Sequence, residues 1–370
     1  VWAPVIRLAA PALALALGFG CSGDIGDAGP PATPPSAPGA GEPGAPGGGG
    51  AAPAGPPAVA DAPSTCGPTQ VGASPLHRLT RLEYNNTIRD LIGEDMQPAR
   101  EFTEDERAGE FSGNFFTPVT ELQLGQYSTA AGAIADHAVA SLLPKLLPCD
   151  AAKGDDACAE KFIRQFGRRA HRRPLQDEEV ARYVKLFQQG RDGDGFSHGI
   201  ELVIEAMLQT PHFLYLVEGP GPLTQHQLAA RLSYFLWKAP PDAKLSELAD
   251  AGQLNTLAAF RGEAKRMLAD PRAQAMINDF HTQWLGMEKL DKLPKDQTLY
   301  PGFETLRVAM AEETSRFIAD VMAGDGKLST LLTADYSVVN GPLAALYGAS
   351  GTGDAWKKTT LDRGQRAGIL

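Results

Sequence analysis

Residues 22–65 hold 36 Gly, Pro, Ala or Ser among 44 positions, with Asp24, Asp27, Glu42 and Asp61 as their only charges. So little apolar surface cannot recover the entropy of ordering, and residues 22–74 are expected to form a disordered Gly/Pro-rich tether. Packed structure therefore has to start near Pro75, and the chain from there to Leu370 is long enough for one large or two ordinary domains. A formal net charge of −10 argues against an electrostatic hold on nucleic acid, so no nucleic-acid partner is expected.

Ahead of the tether, Arg7 precedes the apolar run Leu8 to Phe19, which Pro11 and Gly18 interrupt. That run falls short of the roughly 20 apolar residues needed to cross a bilayer. A basic residue, a short apolar core and small residues before a cysteine read as a secretion signal over residues 1–21. Gly18-Phe19-Gly20-Cys21 resembles a bacterial lipobox, although Gly18 stands where an aliphatic residue is usual. The expectation is lipidation at Cys21 and membrane attachment through that anchor, with a cleaved soluble form as the alternative.

Cys149 and Cys158 bracket a polar turn, and an exported chain is expected to join them as a disulfide; a pair of free thiols is the other reading. Cys66 is left over once Cys21 carries lipid. There is no Cys-x-x-Cys-His haem signature and no cysteine spacing suited to zinc, so neither a metal nor a cofactor is expected.

Beyond Pro75 the apolar residues recur at helical spacing, with little of the alternation that strands need. Helices are expected over Leu79–Ile92, Glu121–Leu147, Ala157–His171, Asp177–Gln188 and Ser197–Gln209, the last apolar on most faces and hence central. Gly93, Pro148 and Gly190 are read as stops, and Met96 to Pro118 as an ordered loop. Thr224 with Gln227 is a capping box for a helix ending at Pro240-Pro241, and further helices follow at Leu257–Leu268, after Pro271, and at Phe303–Met322. On the last, Glu312, Arg316 and Asp320 stand at i,i+4 spacing. The fold class is all-α: multi-helix modules in tandem over residues 75–148, 149–222 and 223–350, then a loop and the start of a truncated module over 351–370.

Several groups have both a chemical and a structural reading. Arg168, Arg169, Arg172 and Arg173, clustered with His171, have the fork geometry to hold a phosphate, sulfate or carboxylate; equally, they suit a helix C-terminus or paired acids. The stretch Arg78 to Asp90, with Tyr84 and Asn85, either grips a ligand or stitches its helix to neighbours. His281 is read as a core or rim histidine before a base, and Glu312 with Glu313 as a weak acid/base pair because adjacent carboxylates diverge on a helix. Asp335, Tyr336 and Asn340 form either a cap-and-turn network or a site. Arg191 to Phe196 fails the calcium-loop pattern and reads as a turn. No catalytic triad, nucleophile elbow or phosphate-cradling glycine loop is present.

The segments Arg78 to Gly93, Phe166 to Leu175, Gly199 to Tyr215, Arg231 to Trp237, Met267 to Ala273, Phe280 to Leu285 and Glu312 to Phe317 carry a resemblance. Together with Leu332 to Tyr336 and Asn340, they resemble a bacterial exported multi-module family of unknown function: domain-of-unknown-function family 1592, with neighbouring 1587-, 1595- and truncated 1588-type modules. The chain departs from that pattern at His171, where an aromatic residue is usual. With the lipobox-like signal, the expected location is the cell envelope, as a lipoprotein of the outer membrane or facing the periplasm, with the extracellular surface as the alternative. Its expected role is accessory or scaffold component of an extracellular polymer-handling system, with envelope protein partners and polysaccharide nearby. The competing expectation is an enzyme or redox-partner protein acting on polysaccharide or another macromolecule.

Overall fold

The computed structural model describes residues 76–369, apart from 116–117, 151–153, 219–220, 351–352 and 365. The expected signal and tether, Cys21 and Cys66 lie outside the described residues.

The first group of elements opens with β1 (His77–Arg78) and α1 (Arg81–Ile92). Thr80 and Glu83 cap α1 reciprocally, the Glu83 carboxylate accepting from the Thr80 N–H at 2.9 Å. Gly93, at φ 82°, closes it in the left-handed region that favours glycine. The loop expected after Met96 contains a 3-10 turn (Pro98–Glu101) and a hairpin of β2 (Arg107–Ala108) with β3 (Phe111–Ser112). The single helix expected to Leu147 is instead α2 (Glu121–His137), a π-helical turn (Ala138–Leu142) and α3 (Leu143–Leu146). Pro144 has no N–H to continue the ladder, so regular helix gives way one turn before it.

The second group is α4 (Asp156–His171), α5 (Asp177–Asp194), α6 (Phe196–Leu208), α7 (Pro211–Leu214) and β4 (Tyr215–Leu216). Gly190 does not stop α5, which runs on through the turn expected at Arg191 and ends at Gly195. The glycine serves packing instead: a Cβ there would meet the Gly199 Cα at 2.9 Å, and one on Gly199 would meet the Phe187 carbonyl at 2.6 Å. Bare backbone at both positions lets α5 and α6 lie together.

Cys149 and Cys158 are bonded, with Cα atoms 5.9 Å apart and a sequence separation of 9. Closing so short a loop removes unfolded-state entropy of about 2.7 kcal/mol. The Cys149→Ser, Cys158→Ser variant is therefore expected to lose about 2–3 kcal/mol in urea unfolding. Reductant should lower the parent's midpoint by the same amount and leave the variant's unmoved.

The third group is α8 (Gln225–Trp237), α9 (Ala243–Asp250), α10 (Leu257–Leu268), α11 (Ala273–Trp284), α12 (Glu288–Asp291), α13 (Phe303–Ala323), α14 (Leu328–Thr333), β5 (Tyr336–Val339), α15 (Gly341–Leu346) and β6 (Lys357–Thr360). The capping box of Thr224 with Gln227 starts α8 as expected.

The first two groups share one hydrophobic core, from Leu79 to Leu216, which also takes Tyr234 from α8. At its centre Ile200, Val203, Ile204, Met207 and Leu208 of α6 are completely buried. Its ends are tied by the antiparallel pairing of β1 with β4, His77 opposite Leu216 and Arg78 opposite Tyr215. The third group builds smaller cores around Trp237, around Phe317 and around Val339 with Leu343. The protein is thus predominantly helical, with multi-helix modules in tandem. Among the described residues, three two-stranded ribbons qualify the all-α expectation; most of their strands span two residues, too few for alternation to register.

Candidate functional site

Every face of α1 is occupied by a neighbour. Tyr84 lies in the shared core, edge-on to Phe102 and Phe213, with ring centroids 4.9 and 5.5 Å away. Burial raises its phenol far above the ordinary value, with Tyr127 adding to the effect, so it stays protonated. The Asn85 side-chain oxygen accepts from the Ala99 N–H at 2.8 Å. A third face meets α8: Asn86 donates to the Lys238 carbonyl at 3.0 Å, and Thr87 shares a 2.8 Å hydrogen bond with the Tyr234 hydroxyl. Glu83 is 1% exposed, 3.1 Å from His77 Nε2 and 3.5 Å from Lys238 Nζ. Burial alone would raise its carboxyl, but His77, Lys238 and the Thr80 N–H outweigh it and hold the pKa at about 2. The polar residues of this segment stitch helices together.

The four clustered arginines do four different things. Arg168 makes a bidentate pair with Asp250 of α9, at 2.6 and 3.1 Å. Arg169 donates to the Asp90 main-chain oxygen at the end of α1. Arg172 is buried and donates to the carbonyls of His212, Phe213 and Tyr215 at 2.5, 3.0 and 2.7 Å, and to the Tyr234 hydroxyl at 3.1 Å. Arg173 makes a bidentate pair with Glu179, both distances 2.8 Å. That bond is the main cause holding the Glu179 carboxyl at about 2, against burial.

Glu313 stands apart on α13 and accepts from the Tyr347 hydroxyl at 2.6 Å. His281 is buried, its Nδ1 at 2.7 Å from the Ile277 carbonyl, as a core histidine. Arg316 pairs with Glu312 at 2.8 Å, whereas Asp320 turns to Lys358, also at 2.8 Å. Asn340 caps α15 through the Leu343 N–H at 3.3 Å, the cap-and-turn reading of that segment. Among the described residues, no group of three or more His, Cys, Asp or Glu is placed to hold a metal ion.

What the structure does bring together is a cleft of about 780 Å³ where the C-terminal ends of α1 and α4 face α8 and α9. All four clustered arginines line it, joined by Arg89, Arg272, Asp90, Asp242, Asp250 and His226. Tyr84, Asn85 and Glu313 do not line it. The run Asp270-Pro271-Arg272 and the Pro240-Pro241-Asp242 break were legible as helix boundaries, but nothing in their spacing tells that they face the arginines.

Fold and cleft together define a tandem-module helical protein whose polar residues mostly join one helical group to the next. Residues 77–140, 158–218 and 223–349 match, in that order, the family models DUF1587, DUF1595 and DUF1592, each described as a protein of unknown function. The chain therefore contains DUF1587, DUF1595 and DUF1592 modules and matches a multi-module DUF1592-family protein. No curated protein and no solved structure matches it.

Proposed function

We propose that this protein is a cell-envelope lipoprotein, attached through Cys21, that serves as an accessory or scaffold component of an extracellular polymer-handling system. The attachment rests on the lipobox-like sequence ahead of the Gly/Pro-rich stretch. The scaffold role rests on one structural observation: Tyr84, Asn85 and Glu313 stand away from the arginine-lined cleft, and most of the residues suited to chemistry are already partnered within the fold. Arg168 pairs with Asp250, Arg173 with Glu179, Asn85 with Ala99 and Glu313 with Tyr347.

A competing enzyme reading draws on Asp90, which lines the cleft and whose carboxyl burial raises against Arg89, Arg272 and Arg169. One experiment separates the two. Full-length protein, expressed with its leader, is fractionated from cells and then incubated with purified envelope and matrix polysaccharides. Membrane retention lost in Cys21→Ser, with no new reducing ends released, is the expected result. Reducing ends that disappear in Asp90→Asn would establish the enzyme instead, and membrane retention unchanged in Cys21→Ser would remove the anchor.

A further inference from the structure

We propose that the cleft between α1, α4, α8 and α9 binds an organic oxyanion, a carboxylate or sulfate ester carried on a larger ligand, with Arg169 and Arg89 as the residues that grip it. The argument is one of charges left over. Six arginines line the cleft (Arg89, Arg168, Arg169, Arg172, Arg173 and Arg272) against four carboxylates (Asp90, Asp242, Glu247 and Asp250).

Four of the arginines are committed. Arg168 and Arg173 hold Asp250 and Glu179 bidentately, and Arg172 spends its donors on three carbonyls and a hydroxyl. Arg272 pairs with Asp270 at 2.9 and 2.8 Å while its guanidinium lies 3.5 Å over the Trp237 ring. Arg169 differs: its side chain donates only to the main-chain oxygen of Asp90. Arg89 reaches only the carboxylate of its sequence neighbour, at 3.4 Å. Both therefore keep guanidinium N–H groups turned to no acceptor in the protein, and a planar fork of such donors matches a carboxylate or sulfate.

Asp90 offers Arg89 a single 3.4 Å contact and Arg169 only its main-chain oxygen, and the other carboxylates of the cleft are not free to add more. Asp250 is taken by Arg168 and by His226 at 2.9 Å. Asp242 is taken by Arg266 at 2.9 Å and by the Leu245 N–H it caps at 2.9 Å. Glu247 is exposed to solvent. Burial also pushes the Arg169 guanidinium below its ordinary value, with Asp90 offsetting only part of it. An incoming oxyanion would relieve that deficit. The volume, about 780 Å³, is of the size that encloses an organic ligand and far exceeds one sulfate, so the anion is assigned to a larger molecule.

The test is calorimetric titration of the full chain, at fixed ionic strength, with four probes: trigalacturonate, a sulfated galactose trimer, neutral galactotriose and inorganic sulfate. Saturable binding of one or both charged trimers is expected, with none for the neutral trimer. Affinity should fall at least tenfold in Arg169→Gln and in Arg89→Gln, and partly recover in Arg169→Lys. Thermal unfolding identifies any variant that fails to fold, and the Lys variant then carries the comparison. Binding confined to inorganic sulfate overturns the assignment of an organic ligand. Equal binding by parent and both Gln variants, or no binding by any anion, overturns the site.

Discussion

Arg172→Ala is expected to cost about 4 kcal/mol of stability, with the cooperative unfolding of the first two helical groups most affected. The guanidinium is buried, and its Nη2 alone donates to the carbonyls of His212, Phe213 and Tyr215. Those carbonyls belong to the turn that delivers β4 to its pairing with β1. Removing the side chain leaves three main-chain acceptors short of a donor, while the Tyr234 hydroxyl keeps Thr87. An orphaned buried acceptor costs about 1–3 kcal/mol, and less where it is only half-buried, as at His212 and Tyr215. Recovery of the arginine's own desolvation cost offsets part of that sum, as does entry of water, which brings the net to about 3–5 kcal/mol. Arg172→Lys keeps the charge but not the fork, so it should recover no more than half the loss. Residue 172 also sits at φ 59°, where Arg172→Gly relieves backbone strain without restoring the hydrogen bonds. Urea midpoints decide the matter: if Arg172→Ala unfolds within 1 kcal/mol of the parent, the arginine is not a staple.

That staple shows where the sequence stops being informative. The burial of α6 could be read from Ile200, Leu202, Val203, Ile204, Met207 and Leu208 because an apolar run needs no partner to declare itself. The start at Thr224 was equally open, since a capping box is a contact between residues three apart; Thr80 with Glu83 carries the same signal, although the first helix was expected from Leu79. Gly93 behaved as a stop and Gly190 did not. A glycine that closes a helix and one that admits a neighbouring helix look alike until the neighbour is in place. Pro144 carried a usable signal, the missing N–H, and it predicts the break before α3 better than Pro148 does.

The arginine run is the sharpest case. Sequence presents Arg168 to Arg173 as one basic patch, but most partners lie far along the chain: Asp250 is 82 residues from Arg168, Asp90 is 79 from Arg169, and Tyr234 is 62 from Arg172, while only Arg173 finds its acid nearby, at Glu179. Charge runs expose the donors and conceal the acceptors, so a reading from residues alone could count the cations but not subtract the anions. The subtraction leaves Arg169 and Arg89; the sequence places Arg89 on one face of its helix with Arg81 and Asn85, but does not tell that Arg89 meets the arginine run.

Acid should weaken the fold from about pH 6.5 downward, before the low-pKa carboxylates Glu83 and Glu179 contribute, and His171 is the reason. Its side chain is 1% exposed, with Nε2 3.2 Å from the Thr210 hydroxyl and Nδ1 4.0 Å from Glu179. The His212 ring lies 5.3 Å away, and Arg173 and Arg172 add like charge. Burial first, then His212, press its pKa down to about 3, and Glu179 opposes them without prevailing. The folded state thus refuses a proton that the unfolded chain accepts near its ordinary pKa of 6.5. Stability falls by about 1.4 kcal/mol per pH unit inside that window, reaching on the order of 4 kcal/mol near pH 3. Glu83 and Glu179, both held at about 2, act in a lower window: their stabilisation is complete above the ordinary carboxylate range and is lost as pH falls from about 4.5 toward 2. The stability profile should therefore descend in two stages. His171→Phe places an aromatic ring in the same pocket without a titrating nitrogen, at the expense of the Thr210 hydrogen bond. Its stability should fall much less between pH 6.5 and 5, where the parent loses about 2 kcal/mol; the residual slope belongs to His212, whose pKa burial also lowers. Urea midpoints of both proteins at pH 7.5, 6 and 5 provide the check, and parallel decline of the two curves would assign the acid sensitivity to another group.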